Sequence, residues 1–176
     1  MKFSFTTITV LVFFSLVLVL QAFGQRDIKP TDSFTVTGRV KKELKFNLDD
    51  FNKYLQQKIK DLQITKHDGT DRGTMRKLKG IPIIELLKQV EFDAEQPKDL
   101  SEYYLIFEGS DGYKLVYSWN EIFNAKDNNG IFIVTEKDDW KLKDIKERII
   151  VITPKDFRTG RRYLKGLSRI IVKRIE

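Results

Sequence analysis

Residues 78–87 have the sequence LKGIPIIELL, which contains the clearest structural signal in the chain. Pro82 restricts its own backbone φ to a value that suits the first turn of a helix. The apolar side chains that follow recur at the spacing of one helical face: Ile83, Leu86, Leu87 and Val90. This segment therefore predicts a short helix with one buried apolar face.

The segments on both sides of this helix have the patterns of strands. Residues 34–40 and 62–65 alternate apolar and polar side chains, which is typical of half-buried strands. The Asp68-Gly69 turn then predicts a hairpin whose returning strand covers residues 74–78. The remaining predicted strands are rich in β-branched and aromatic residues: 103–107, 113–117, 131–135, 149–153 and 170–175. We therefore predict a single α+β domain, mainly β, with two or three short helices.

Two of these short helices have recognisable starts. Asn47 can cap a helix whose inner face contains Leu48, Phe51 and Leu55. Ser118 and Glu121 form the pattern of a capping box, in which each side chain bonds the other residue's backbone N–H. A single helical turn is expected to follow Ser118.

Composition excludes several classes of chemistry. The chain has 176 residues, no cysteine and one histidine, His67. Disulfides, thiolate nucleophiles, iron–sulfur clusters and cysteine-ligated zinc or molybdenum are therefore impossible, and a histidine-rich metal centre is equally excluded. The length suits one domain of ordinary size.

The N-terminal segment has the features of an export signal. Lys2 supplies a positive start, residues 8–20 form an apolar stretch, and Ala22 and Gly24 place small side chains at the −3 and −1 positions of a cleavage site. An uncleaved membrane anchor is the alternative, because no charge interrupts the apolar stretch. We predict two parts: a signal peptide, residues 1–24, and a periplasmic or secreted domain, residues 25–176.

Positive charge is concentrated at the C-terminus. The formal net charge of the chain is +7, and residues 154–176 contain eight basic and two acidic side chains. Four of the basic residues lie in or after a loop that contains Gly160: Arg158, Arg161, Arg162 and Lys165. Guanidinium groups suit phosphate or carboxylate recognition, so these four residues form a candidate anion-binding site. The alternative is a solvated basic edge that prevents strand pairing with other molecules.

Other candidate residues have simpler explanations. His67 could contact a ligand, although a histidine at a hairpin turn is usually just an exposed polar residue. Aromatic side chains are dense over residues 103–123, where we assign Phe107 and Tyr117 to the core and leave Trp119 as a possible ligand contact at the rim. A group of acids could bind calcium, but nearby lysines favour a charge-mixed loop instead: Asp138, Asp139, Asp144 and Glu147.

Several segments, in order, resemble the molybdopterin-binding domain of the sulfite oxidase family in its short exported form. The resemblance covers nearly all of the chain after residue 24, and the matching segments are FTVTGRV at 34–40, HDG at 67–69, LKGIPIIELL at 78–87, EGSDGY at 108–113 with Ser118, and RTGRRYLKGLSRI at 158–170. This resemblance implies a compact, mainly β domain. It also implies that the loop around Gly160 corresponds to a segment that helps to hold the phosphate and pterin of the cofactor.

The resemblance does not extend to the metal ligand. In catalytic members a cysteine binds molybdenum, and its place falls near residues 64–68, where this chain has none. Carboxylate and imidazole are harder ligands and do not replace a thiolate. We therefore expect no cofactor and no metal, and an exported, non-catalytic domain that binds an anionic small molecule or an exported protein partner. The alternatives are a molybdopterin-dependent oxidoreductase with atypical metal ligation and an envelope-associated protein that binds polyanions or anionic lipid. A nucleic-acid partner is not expected, because no recognised motif is present.

Overall fold

The computed structural model of this protein describes residues 27–126 and 130–176; the predicted signal peptide lies outside them. The strands are β1 (Ser33–Gly38), β2 (Leu44–Asn47), β3 (Gln57–Ile59), β4 (Leu62–Thr65), β5 (Asp71–Met75), β6 (Leu78–Pro82), β7 (Tyr103–Gly109), β8 (Lys114–Ser118), β9 (Phe132–Lys137), β10 (Trp140–Lys141), β11 (Val151–Ile152) and β12 (Leu167–Arg174). The α-helices are α1 (Ile83–Leu87) and α2 (Trp119–Phe123), and 3-10 helices cover Leu48–Lys53, Pro97–Glu102 and Thr159–Arg162. Within residues 27–126 and 130–176, no helix is both long enough and apolar enough to cross a membrane.

The strands form two larger sheets and one separate hairpin. The first sheet has the order β2-β1-β12-β7-β8, and β1 pairs with β12 in parallel, which joins the N-terminal strand to the C-terminal one. The second has the order β10-β9-β6-β3, and β11 pairs with the other part of β9. The β4–β5 hairpin stands apart from both sheets. The mainly β, α+β fold class predicted from the sequence is therefore confirmed.

Alternation along the strands builds the core as expected. Every second residue of β7 is buried, from Tyr103 to Gly109, and the facing side chains of β1 and β12 are buried with them. Phe107 and Tyr117 are fully buried, and their ring centroids lie 4.9 Å apart in an edge-to-face contact. The assignment of both residues to the core is confirmed, and such pairs add to the stability that area burial alone provides.

Helix α1 buries the predicted face. The side chains of Ile83, Leu86, Leu87 and Val90 are all buried in the main core cluster. The helix begins one residue later than the proline rule suggests, since Pro82 has a ψ of 129° and ends strand β6. The segment around Gly80 therefore supplies both a strand and the helix after it.

The helix predicted after Asn47 is shorter and tighter than expected. It is a 3-10 helix, in which residues three apart share a face, so Leu48 and Phe51 are buried together. The prediction that Leu55 belongs to this inner face is wrong: the helix ends at Lys53, and Leu55 is 67% exposed. Asn47 does not cap the backbone; its side-chain amide lies 3.5 Å from the Asp50 carboxylate.

The strand predicted over residues 74–78 is also wrong in its limits. Strand β5 ends at Met75, and β6 begins a different sheet at Leu78. Between them Lys77 has a positive φ of 52°, and the backbone N–H groups of Arg76 and Lys77 donate to Asp138 and Asp61. These long-range hydrogen bonds impose the break, which no local pattern could reveal.

The capping box at Ser118 is confirmed. The Glu121 N–H donates to the Ser118 hydroxyl at 3.1 Å, and the Ser118 N–H donates to the Glu121 carboxylate at 2.8 Å. Helix α2 follows as a short element with Ile122 buried. The second oxygen of the Glu121 carboxylate accepts a hydrogen bond from Arg162 in the C-terminal basic loop.

Candidate functional site

The β4–β5 hairpin packs directly against the basic loop that contains Gly160. The buried Thr159 hydroxyl donates to the Gln63 carbonyl at 2.7 Å and accepts from the Thr65 N–H at 3.0 Å. Gly160 lies so close to Thr65 that a Cβ on this glycine would overlap the Thr65 carbonyl oxygen. The two segments that the sequence resemblance singled out, residues 64–68 and the loop around Gly160, are thus in contact.

Arg162 forms ion pairs with two acidic residues of the same domain. Its guanidinium forms a two-pronged contact with the Asp156 carboxylate, and Nη1 donates to Glu121 at 2.9 Å. It also lies over the Tyr117 ring, 4.7 Å from the centroid. The hydrogen bonds to Asp156 raise the pKa of Arg162 above its ordinary value despite partial burial. Arg162 therefore ties the basic loop to helix α2 and β8.

The polar contacts below Arg162 extend into the core. The hydroxyl groups of Tyr117 and Thr153 share a hydrogen bond of 2.9 Å, and both residues are buried. Burial raises the pKa of Tyr117 to about 12. Tyr117 therefore remains a neutral hydrogen-bonding group at ordinary pH.

Lys165 also has an acidic partner. Its ammonium group lies 2.5 Å from the Glu147 carboxylate and 5.4 Å from the centroid of the Tyr163 ring. A lysine ammonium has three donor hydrogens, so one ion pair leaves it able to bind a further acceptor. Of the four predicted anion-site residues, Lys165 is the one whose side chain lines two adjacent surface cavities.

These two cavities, of about 260 and 220 Å³, share three residues: Arg72, Tyr163 and Lys165. Arg72 lies on strand β5 and forms no ion pair within residues 27–126 and 130–176. Burial raises the pKa of Tyr163, Glu147 raises it further, and the charge of Arg72 lowers it. Tyr163 therefore keeps its proton and can donate a hydrogen bond beside a guanidinium and an ammonium group.

The other two predicted arginines lie on the outside of the same loop. The Arg158 guanidinium covers the Phe157 ring at 4.4 Å from the centroid and contacts Gly69 in the hairpin turn. Arg161 is exposed, and its backbone carbonyl accepts a hydrogen bond from the Tyr113 hydroxyl at 2.6 Å. His67 is exposed in the same hairpin turn as Gly69. The four predicted anion-site residues are thus divided between the loop surface, an internal ion pair and a cavity wall.

Trp119 and the acidic group lie in other surroundings. Trp119 stacks on Phe123 with centroids 5.2 Å apart, and its indole N–H is buried without a hydrogen-bond partner among the described residues. Among all described residues, no three histidine or acidic side chains lie close enough together to form a metal-binding group. Asp138 and Asp139 instead bind Arg76 and Lys77.

A larger cavity of about 470 Å³ lies between the Leu48–Lys53 helix and strand β9. The cations that line it are already paired: Lys79 and Lys141 with Glu136, and Lys143 with Asp49. An anion there would compete with a carboxylate at each of these cations, whereas Arg72, in the two smaller cavities, has no carboxylate partner among the described residues.

The fold is shared with a known protein. No family model and no curated protein sequence matches the chain. Among solved structures, it is similar to the sulfane dehydrogenase SoxCD from Paracoccus pantotrophus, with a TM-score of 0.56 and 13% sequence identity. The fold is of the sulfite-oxidase type. The likeness covers 82% of this chain but 39% of the SoxCD chain, and at this identity it concerns the fold alone.

The residues present do not fit the molybdenum–pterin centre that the sequence resemblance implies. The sequence has no cysteine to supply a thiolate, and Thr65, within residues 64–68, donates its backbone N–H to Thr159. The direct packing of Gly160 on Thr65 also fills the space between the two segments. What the arrangement offers chemically is a set of cationic and hydroxyl donors.

Arg72 was missed by sequence reasoning. The sequence predicts a returning strand that begins at residue 74, which places Arg72 in the preceding turn. No local signal marks this residue, because Arg72 lies between Asp71 and Gly73 in a stretch whose pattern indicates a turn. Only the pairing of Thr65 with Asp71 shows that the strand begins earlier and brings Arg72 beside Tyr163.

Proposed function

We propose that this chain is an exported, non-catalytic domain that binds a small phosphate-like anion in the cavity beside Arg72. The observation that supports it most is the convergence of Arg72, Lys165 and Tyr163 on the wall of the same two cavities. Arg72 has no carboxylate partner among the described residues and lies next to a phenol that keeps its proton, which is a donor set suited to an oxyanion.

The size and the charges of the site limit its ligand. The adjoining cavities are small, and Asp111 lines one of them and Asp138 the other, so the space left beside the cations suits a compact anion. A phosphate or pyrophosphate group presents several acceptors that Arg72 can bind in two-pronged fashion. Lys165 is already held by Glu147, so Arg72, which is exposed, is the donor that an anion would have to order on binding.

The proposal predicts that Arg72→Gln weakens binding of pyrophosphate by about tenfold or more, because the charge and the paired donors are both lost. Isothermal titration calorimetry with the chain from Gln25 onward measures this, at low ionic strength where charge effects are least screened. The matched control is Lys98→Gln, because Lys98 is an exposed lysine on the Pro97–Glu102 helix. This variant is expected to bind pyrophosphate with unchanged affinity. Equal affinity in Arg72→Gln and the unaltered protein would refute the proposed site.

A further inference from the structure

The loop that precedes Gly160 exposes an aromatic ring. Phe157 is 86% exposed, the highest value among the large hydrophobic side chains of the described residues. Apart from the Arg158 guanidinium over its face, the ring projects into solvent. Single exposed hydrophobic residues are common, so the exposed ring alone does not indicate a binding site. The charged groups around the ring distinguish it from an ordinary exposed side chain.

The loop surface around Phe157 is positive. Asp156, the acidic residue next to the ring, turns inward to Arg162, and its side chain is only 15% exposed. Arg158 and Arg161 form no ion pair within the described residues. The loop therefore presents an apolar ring with the Arg158 guanidinium over one face and the exposed Arg161 further along the same loop, while the Asp156 carboxylate is paired with Arg162.

The loop from Asp156 to Arg161, here called the Phe157 tip, is held in place by hydrogen bonds before any partner binds. The Asp156 N–H donates to the Thr153 carbonyl, and the Arg161 N–H donates to the Arg158 carbonyl. Thr159 anchors the loop to the β4–β5 hairpin. The ring is thus presented by an ordered loop, so a partner does not have to order it first.

We propose that the Phe157 tip docks this protein on an anionic phospholipid surface, with the ring inserted below the headgroups and Arg158 and Arg161 on the lipid phosphates. Binding of this kind combines buried apolar area with attraction to anionic lipid. A soluble phosphate would use the arginines but gain nothing from the ring. A protein partner of standard size would need about 800 Å² on this side, with several apolar anchors around the ring. The inference rests on the proposed function only in extending anion binding to lipid phosphates at a neighbouring surface.

Vesicle co-sedimentation tests the docking. The chain from Gln25 onward, which contains every described residue, is mixed with phosphatidylcholine vesicles with or without phosphatidylglycerol. We expect binding only to the anionic vesicles, weakening as salt is raised. Phe157→Ser should weaken it by about tenfold, because insertion of one aromatic side chain is lost. Since Phe157 is exposed, the variant should fold normally. Leu55→Ser, which removes another exposed apolar side chain, is the matched control and should bind like the unaltered protein.

Three results would overturn the docking: no binding to anionic vesicles, equal binding to uncharged vesicles, or unchanged binding by Phe157→Ser. Unchanged binding by Phe157→Ser would mean that the protein binds the vesicles through the lipid phosphates alone or through another surface. Pyrophosphate titration of the same samples separates this inference from the proposed function. Failed vesicle binding with intact pyrophosphate binding rejects only the membrane docking, whereas loss of pyrophosphate binding as well rejects both.

Discussion

Replacing Gly160 with alanine is expected to lower the free energy of unfolding by about 3 kcal/mol, at the upper end of the usual cost of overpacking. The added methyl group would overlap the carbonyl oxygen of Thr65, which is backbone and cannot rotate away. Relief requires the basic loop and the β4–β5 hairpin to separate, which also breaks the Thr159 hydrogen bonds. Chemical denaturation followed by circular dichroism measures the loss.

Gly112→Ala provides the matched control. Gly112 has a φ of +77° and no atom near the position of an added Cβ, so this change causes backbone strain without a clash. Its expected cost is about 1 kcal/mol. If Gly160→Ala proves no more destabilising than Gly112→Ala, the two segments are not packed as described, and the space between them could hold a ligand.

Arg162→Met is expected to destabilise the protein by about 3 kcal/mol. The substitution leaves Asp156 without its partner in a site where that carboxylate is only 15% exposed, and it frees one oxygen of Glu121. Methionine retains most of the apolar stem over Tyr117, so the loss reports mainly the charged contacts. Thermal and chemical denaturation at neutral pH measure the effect.

Arg169→Met is the control for this substitution. Arg169 makes a similar two-pronged contact with Glu108, but its side chain is 51% exposed, so the expected cost is about 0.5 kcal/mol. Arg162→Met should keep its affinity for pyrophosphate at temperatures where it remains folded. The opposite outcome is an Arg162→Met variant that is as stable as Arg169→Met and no longer binds pyrophosphate. That result would show that Arg162 belongs to the anion site, as the sequence predicts.

Local sequence patterns predicted the elements whose causes are local. The Ser118 capping box, the apolar face of Ile83 to Val90 and the 103–117 hairpin each depend on residues within a few positions of one another. The limits of β5 depend on hydrogen bonds from Arg76 and Lys77 to distant acids, and the parallel pairing of β1 with β12 joins the two ends of the domain. Such contacts leave no periodic trace in the sequence.

The candidate site was predicted less well than the fold, for an electrostatic reason. A run of arginines and lysines shows where positive charge is concentrated, but not which charges are satisfied inside the protein. Arg162 meets Asp156 six residues away and Glu121 in another element, whereas Arg72 on a separate hairpin meets neither. Which cation faces a cavity is therefore a tertiary property, and sequence reasoning selected Lys165 while missing Arg72.

The fold and the donor set give different indications about function. A TM-score of 0.56 with SoxCD relates the architecture to a dehydrogenase component, while the chain lacks any thiolate for a metal. One fold can host unrelated functions, so the residues at the site carry more weight than the architecture. Those residues favour recognition of an anion.

Elemental analysis with native mass spectrometry, on the protein purified from its own host, tests most directly whether this scaffold operates without molybdenum. We expect a polypeptide mass with at most a small bound anion and molybdenum at background level. One tightly held molybdenum per chain, together with the mass of a pterin, would contradict the proposed function.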